Sequence, residues 1–180
     1  LVQGLDNIDE VIGSIDGFPV VGKPIRGRGS HGVKLCHSPV ELKEHILQLI
    51  DESPIVMVEA YLAGEEATLT IMPPSPERPE YWSMLPVSRF NHMDGIAPYN
   101  GVVAVVANSR VVTDKDMEDP AYRKVMDEGV KVAALIGATA PIRIDVRRFR
   151  EGSEFALFDI NMKPVSLTPE NRKRSQRKAS

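Results

Sequence analysis

Four side chains in the later part of the chain have the types and spacing that chemistry needs: Arg143, Asp145, Asp159 and Asn161. They lie in two alternating arms, Pro141 to Phe149 and Glu154 to Met162, separated by Arg150-Glu151-Gly152-Ser153. Both arms are rich in β-branched and aromatic residues, which predicts a β-hairpin turning at Gly152. Folding the arms about that glycine sets Asp145 opposite Asp159 and Arg143 opposite Asn161. Side chains repeat with period two along a strand, so all four leave from one face. Facing carboxylates repel; a cation between them relieves the repulsion, and hard oxygen donors suit Mg²⁺. The competing reading is a solvated polar face with an ordinary Arg–Asp contact. The opposite face (Ile142, Ile144, Val146, Phe158, Ile160) is almost wholly apolar, which favours a site.

A second concentration of chemistry is Lys23 followed by Gly27-Arg28-Gly29-Ser30-His31-Gly32. The glycines match G-x-G-x-x-G. A dinucleotide site needs a helix at the third glycine, but a strand-like run, Val33 to Cys36, follows. A kinase loop needs Val two residues after the last glycine, and Lys34 stands there. The remaining expectation is a strand–loop–strand flap whose amides wrap phosphate, with Lys23 as a point charge. A tight hairpin with exposed basic residues is the plain alternative. Glu59 ends an apolar strand, where a core meets a cleft, and Glu66 has the chemistry to accept from ribose hydroxyls. Taken singly, each is better explained as a surface carboxylate. His31, His37, His45 and His92 lack metal-ligand spacing and read as ordinary polar residues. Cys36 reads as a small core residue.

The elements that must position these groups are legible in outline. Strands are expected over Phe18–Val21, Val33–Cys36, Ile55–Val58, Ala67–Met72, Tyr81–Phe90 and Val102–Ala107. Ser38-Pro39-Val40-Glu41 predicts a capped helix start, with Leu42, Ile46, Leu49 and Ile50 as its stripe and an end near Asp51. A second helix is expected over Pro120–Ile136, with Gly137 as its cap. Four prolines between Pro73 and Pro79 make a surface loop, and Asn91–Asn100 reads as a polar loop able to close over a ligand.

The 180 residues suffice for one domain or two small lobes, and the net charge of −3 gives no general affinity for nucleic acid. Residues 170–180 carry five Lys or Arg and one Glu, a local +4 that leaves −7 for the rest. One cysteine excludes an internal disulfide and fits a reducing compartment, so a cytoplasmic location is expected. No apolar run approaches the roughly 20 residues of a membrane span. The first residue is Leu within an amphipathic segment, which suggests a piece of a longer protein.

In order, Phe18-Pro-Val-Val-Gly-Lys-Pro, Gly29-Ser-His-Gly-Val, Val58-Glu-Ala-Tyr-Leu-Ala-Gly-Glu-Glu66, Arg143-Ile-Asp-Val and Phe158-Asp-Ile-Asn161 resemble the ATP-grasp family, in its D-alanine–D-alanine ligase-like branch. The likeness runs from about Phe18 to Pro164. It implies an α+β fold of two subdomains clasping ATP, here residues 1–61 and 62–165. Against that family the N-terminal domain is absent, and residues 166–180, which from Pro169 on have no large apolar residue to offset the entropy of ordering, are expected to form a basic, disordered tail. The likeness further implies that Lys23 contacts the ATP phosphates under a flap containing Gly29, Ser30 and Gly32. Glu59 would meet the adenine amino group, the backbone of Ala60, Tyr61 and Leu62 would form the adenine hinge, and Glu66 would bind ribose. Asp145, Asp159 and Asn161 would hold Mg²⁺, and Arg143 would steady an acyl phosphate. The implied activity is ATP-dependent ligation of a small-molecule carboxylate to an amine, without nucleic-acid or membrane partners. The alternative is a non-catalytic ATP/Mg²⁺-binding module or an inactive ligase fragment.

Overall fold

The computed structural model describes residues 1–4, 6–26, 31–92 and 108–162. Two antiparallel sheets, each backed by a helix, follow one another along the chain. The first half contains β1 (Val2–Gln3), α1 (Ile8–Gly13), β2 (Val20–Pro24), β3 (Lys34–Cys36), α2 (Pro39–Leu49) and β4 (Ile55–Ala60). Its sheet has the order β1-β4-β2-β3. Val2, Val20, Cys36 and Val56 pack with Leu42, Ile46 and Leu49 of α2 in one core. The α2 start is as the sequence predicts: Ser38 Oγ accepts from Glu41 N at 3.2 Å. The Glu41 carboxylate reaches back to His37 N at 2.8 Å. In the ladder Val21 pairs with Glu59 and Lys23 with Met57. Lys23 and Glu59 therefore share the face opposite Val20 and Val56, away from α2.

The second half contains β5 (Glu66–Met72), β6 (Trp82–Ser83), β7 (Val87–Arg89), β8 (Ser109–Val111), a 3₁₀ turn (Asp116–Glu118), α3 (Pro120–Leu135), β9 (Ile142–Arg148) and β10 (Phe155–Asn161). The sheet order is β10-β9-β5-β7-β8, with β6 also on β5. Strand β5 alternates strictly: Ala67, Leu69 and Ile71 enter the core, while Glu66, Thr68 and Thr70 point the other way. The core continues through Ile142, Ile144, Val146 and Phe155 to Tyr122, Val125 and Ala133 of α3. Asp119 caps α3 by accepting from Ala121 N at 2.9 Å. Gly137, at φ +62°, closes the other end. Ala134, next to the buried Ala133, is exposed.

The hairpin β9–β10 has the expected site register, Asp145 with Asp159 and Arg143 with Asn161. Nearer the turn, however, Leu157 pairs with Val146 and Ala156 with Arg147. Phe158 is the extra residue of a bulge between the two registers. The expectation that Phe158 joins the apolar face is corrected accordingly, whereas Ile160 pairs with Ile144 on that face as expected. Leu157 and Phe155 pack against the core, Phe158 is taken up by the bulge, and Ile160 on the sheet edge is 42% exposed.

The single strand expected over Tyr81–Phe90 is two short ones. Pro86 lacks the N–H needed to continue a ladder, and β6 and β7 stop on either side of Met84-Leu85-Pro86. Gly27–Ser30 of the expected loop, most of Asn91–Asn100, the strand expected over Val102–Ala107 and the expected tail 166–180 lie outside the described residues. Among the described residues no helix is long and apolar enough to cross a membrane.

Candidate active site

The site face of the second sheet is assembled by strand register. Glu66 pairs with Arg147, Thr68 with Asp145 and Thr70 with Arg143 across β5 and β9. Asp159 and Asn161 extend the last two rows on β10. The face thus carries three cross-strand rows of polar groups, directly behind a core that fixes their strands. A signal for Thr68 exists in the sequence: its polar parity within β5 matches that of Glu66.

Asp145 is 3% exposed. Its Oδ1 accepts from Thr68 Oγ1 at 2.8 Å. Its Oδ2 accepts from Arg143 Nη2 at 3.1 Å. Burial pushes the Asp145 carboxyl above its ordinary value, and the charges of Asp159 and Glu66 add to the rise against the pull of Arg143 and Thr68. Asp159, directly opposite, is exposed, and Asn161 is half-buried. Among the described residues no three His, Cys, Asp or Glu side chains form a metal cage. Two carboxylates and an amide oxygen nevertheless fit Mg²⁺, which typically takes one or two carboxylates and completes its shell with water and substrate phosphates.

Glu66 is equally deep, at 3% exposure. Its Oε2 meets His92 Nε2 at 2.9 Å and lies 3.7 Å from Arg147 Nη1. No local signal marks the His92 contact, because the two residues are 26 apart and only the folding of β5 onto β7 brings them together. In the first sheet Lys23 Nζ pairs with Glu59 Oε1 at 2.7 Å, with side chains 21% and 30% exposed. The lysine expected to contact phosphate and the carboxylate expected to meet adenine therefore stand together as an ion pair.

Gly32, the last glycine of the flap, has φ +71° and sits against Leu49 and Pro24. The ring of His45 on α2 bridges its carbonyl at 3.0 Å and that of Gly22 at 3.2 Å. His45 thus ties the two strands at the root of the loop, a role the sequence did not reveal. Gly29 and Ser30 lie outside the described residues.

Ala60 is the exposed last residue of β4, and Tyr61 and Leu62 begin the connection to β5. That connection is stitched to the end of β9: Ala63 N donates to Phe149 O at 3.1 Å and Gly64 N to Arg148 O at 3.0 Å. A Cβ on Gly64 would come within 2.7 Å of Arg150 O, so only glycine permits this approach. The candidate base, ribose and metal groups are thereby placed along one joint between the two sheets.

On the opposite face Arg148 serves structure. It is 3% exposed, pairs with Asp119 at 2.6 Å and Glu65 at 3.3 Å, and also donates to the Ser153 carbonyl. Tyr122 donates its hydroxyl to Glu65 Oε1, and burial pushes that phenol up.

Residues 3–171 match the protein family described as D-ala D-ala ligase C-terminus. A D-alanine–D-alanine ligase of Aquifex aeolicus (strain VF5) is 29% identical over 157 residues, covering 84% of this chain and 50% of the relative. Among solved structures, the VanG D-Ala:D-Ser ligase from Enterococcus faecalis superposes with a TM-score of 0.66 at 16% identity, covering 88% of this chain and 45% of that one. The biotin carboxylase domain of the Hydrogenobacter thermophilus 2-oxoglutarate carboxylase, in complex with MgADP, ADP and bicarbonate, has a TM-score of 0.66 at 12% identity, covering 94% and 36%. At such identities the likeness establishes the fold, that of the ATP-grasp ligases. The chain spans about half the length of the curated relatives it matches.

Proposed function

The chain belongs to the D-ala D-ala ligase C-terminal family, and on that premise we propose that it is the ATP-binding part of an ATP-dependent carboxylate–amine ligase working through an acyl phosphate. The observation that carries this reading is the row Thr68–Asp145–Asp159, flanked by Arg143 and Asn161, on one face of the second sheet. The curated relatives are themselves named D-alanine–D-alanine ligases.

Each group has a role that its surroundings support. Lys23 neutralises phosphate charge, leaving Glu59 to accept from the adenine amino group once the pair opens. The backbone of Ala60, Tyr61 and Leu62 meets the base edge, and Glu66 accepts from ribose. Asp145, Asp159 and Asn161 hold Mg²⁺, which supplies charge neutralisation to the phosphates when bound. Thr68 and Arg143 orient the Asp145 oxygens. The γ-phosphoryl group passes from ATP to a carboxylate oxygen, releasing ADP. An amine then attacks the acyl carbon and phosphate leaves. Arg143 steadies the charge on the acyl phosphate. Such transfer depends chiefly on positioning and electrostatics, which a rigid strand pair provides.

Calorimetric titration with ATP, with and without Mg²⁺, tests the binding. Mg²⁺-dependent heat and a thermal shift are expected, since a ligand bound only by the folded state stabilises it. Neither signal at millimolar ATP overturns the proposal. Release of ADP with D-alanine, then with other small carboxylates and amines, tests the chemistry. Binding without release under every pairing establishes the non-catalytic nucleotide-binding module instead.

A further inference from the structure

Arg147 lies on the same face of β9 as Arg143 and Asp145, two residues beyond the candidate metal ligand, and its side chain is 11% exposed. Nothing in the reading above uses it. Its guanidinium nevertheless reaches three parts of the nucleotide end of the site. Nε donates to the Gly64 carbonyl at 3.1 Å. Nη2 donates to the Tyr61 hydroxyl at 3.2 Å, while Cζ stands 5.0 Å from the centre of the Tyr61 ring. Nη1 lies 3.7 Å from Glu66 Oε2, the oxygen that also meets His92 at 2.9 Å.

The geometry points to Arg147 as a positioning residue that fixes the base hinge, through Tyr61, and the ribose carboxylate of Glu66 from the strand that carries the metal ligands. This rests on the nucleotide reading above and deepens it. Residues 61–65 form no ladder of their own, so their conformation depends on what they are tied to. The backbone bonds to Arg148 and Phe149 hold the connection at Ala63 and Gly64; Arg147 alone among the contacts described here reaches the side chains on both sides of that stitch. A planar, forked cation suits this task, since it can stack on an aromatic face and donate in several directions at once, which an ammonium does not do. Arg148 provides the contrast: its partners Asp119, Glu65 and Ser153 lie on the core face, away from the candidate ligand groups.

The test compares two probes on the unsubstituted chain, Arg147→Met, Arg147→Lys and Tyr61→Phe: ADP with Mg²⁺, and inorganic tripolyphosphate with Mg²⁺. The first has base, ribose and phosphates; the second has phosphates only. Arg147→Met is expected to raise the Kd for ADP about tenfold, the effect of losing a charge-assisted hydrogen bond, and to leave the Kd for tripolyphosphate within about twofold. Arg147→Lys should resemble it. Tyr61→Phe, which keeps the stack and loses the hydroxyl, should weaken ADP binding less, and its effect should not add to that of Arg147→Met. Equal weakening of both probes marks a merely structural residue and overturns the inference, as does an unchanged Kd for ADP. If Arg147→Met does not fold, the lysine and phenylalanine variants decide in the same way. Failure of the unsubstituted chain to bind ADP overturns the nucleotide reading, and this inference with it.

Discussion

Asp145 combines near-complete burial with a carboxylate opposite it in the ladder, and the balance of those effects is measurable. Its folded-state pKa lies above the ordinary value of 3.8, burial being the largest cause. The folded protein therefore retains a proton that the unfolded chain has lost, and the stability linked to this residue is present below that value and falls as pH rises through the folded pKa. Asp145→Asn removes that fall. In the absence of metal, chemical denaturation should show the Asn variant at least as stable as the parent at pH 7, with the difference vanishing in acid. The same variant should lose Mg²⁺-dependent ATP binding by about tenfold or more, because an amide is a weaker ligand than a carboxylate. A less stable variant at pH 7 would show that the bond to Arg143 outweighs the cost of burying the charge.

Two features decide where the elements put these residues. Without the bulge at Phe158, the pairing of Leu157 with Val146 would continue by setting Phe158 opposite Asp145 and turning Asp159 towards Ile144 and the core. Deleting Phe158 removes the extra residue itself and leaves Asp159 next after Leu157, still opposite Asp145; the deletion, like Phe158→Ala, is thus expected to retain Mg²⁺-dependent nucleotide binding in calorimetry, and its loss would show that the bulge shapes the site beyond setting the register. Gly64 is the second feature. Gly64→Ala should cost about 1–3 kcal/mol in a denaturant titration, the usual range for overpacking, since the new methyl would meet the backbone carbonyl of Arg150. Full stability in that variant would show that the connection moves away from β9 at no cost. Much of the element pattern was legible, because Gly152, the alternation of both arms, the Ser38 cap and the Pro120 helix start are local signals. The bulge was not: folding about Gly152 reproduces the register at Asp145 and Asp159 while misplacing Phe158, since one extra residue leaves no mark in composition. His45, His92 and Arg147 were illegible for a different reason. Their partners are set by tertiary packing, and a lone histidine or arginine in a sequence looks the same whether it is solvated or satisfied.

At the scale of the molecule, two hydrophobic cores stand in sequence, one under α2 and one under α3. Leu42 and Leu69 are fully buried in the first and the second respectively. Truncation of either to Ala is expected to cost about 2–5 kcal/mol. Hydrogen exchange should place the damage of Leu42→Ala in β2, β3 and β4 and that of Leu69→Ala in β5 and β9; exchange spreading evenly over both halves would mean that they unfold as one. The candidate ligand groups are divided between these cores, Lys23 and Glu59 in one, Glu66 and the β9–β10 residues in the other. Every strand of the first sheet, and the helix that covers it, lies before Glu66. The second sheet needs β10 to complete it. Synthesis therefore gives this fold a direction in time. Once the first sheet has left the ribosome its pairings are all available, with Lys23 beside Glu59, while β5 must wait some 70 residues for β9. During that interval the half-built protein exposes the apolar row Ala67, Leu69 and Ile71 to whatever chaperone or neighbouring chain is near, and a pause in translation after β5 should be more hazardous to it than one before.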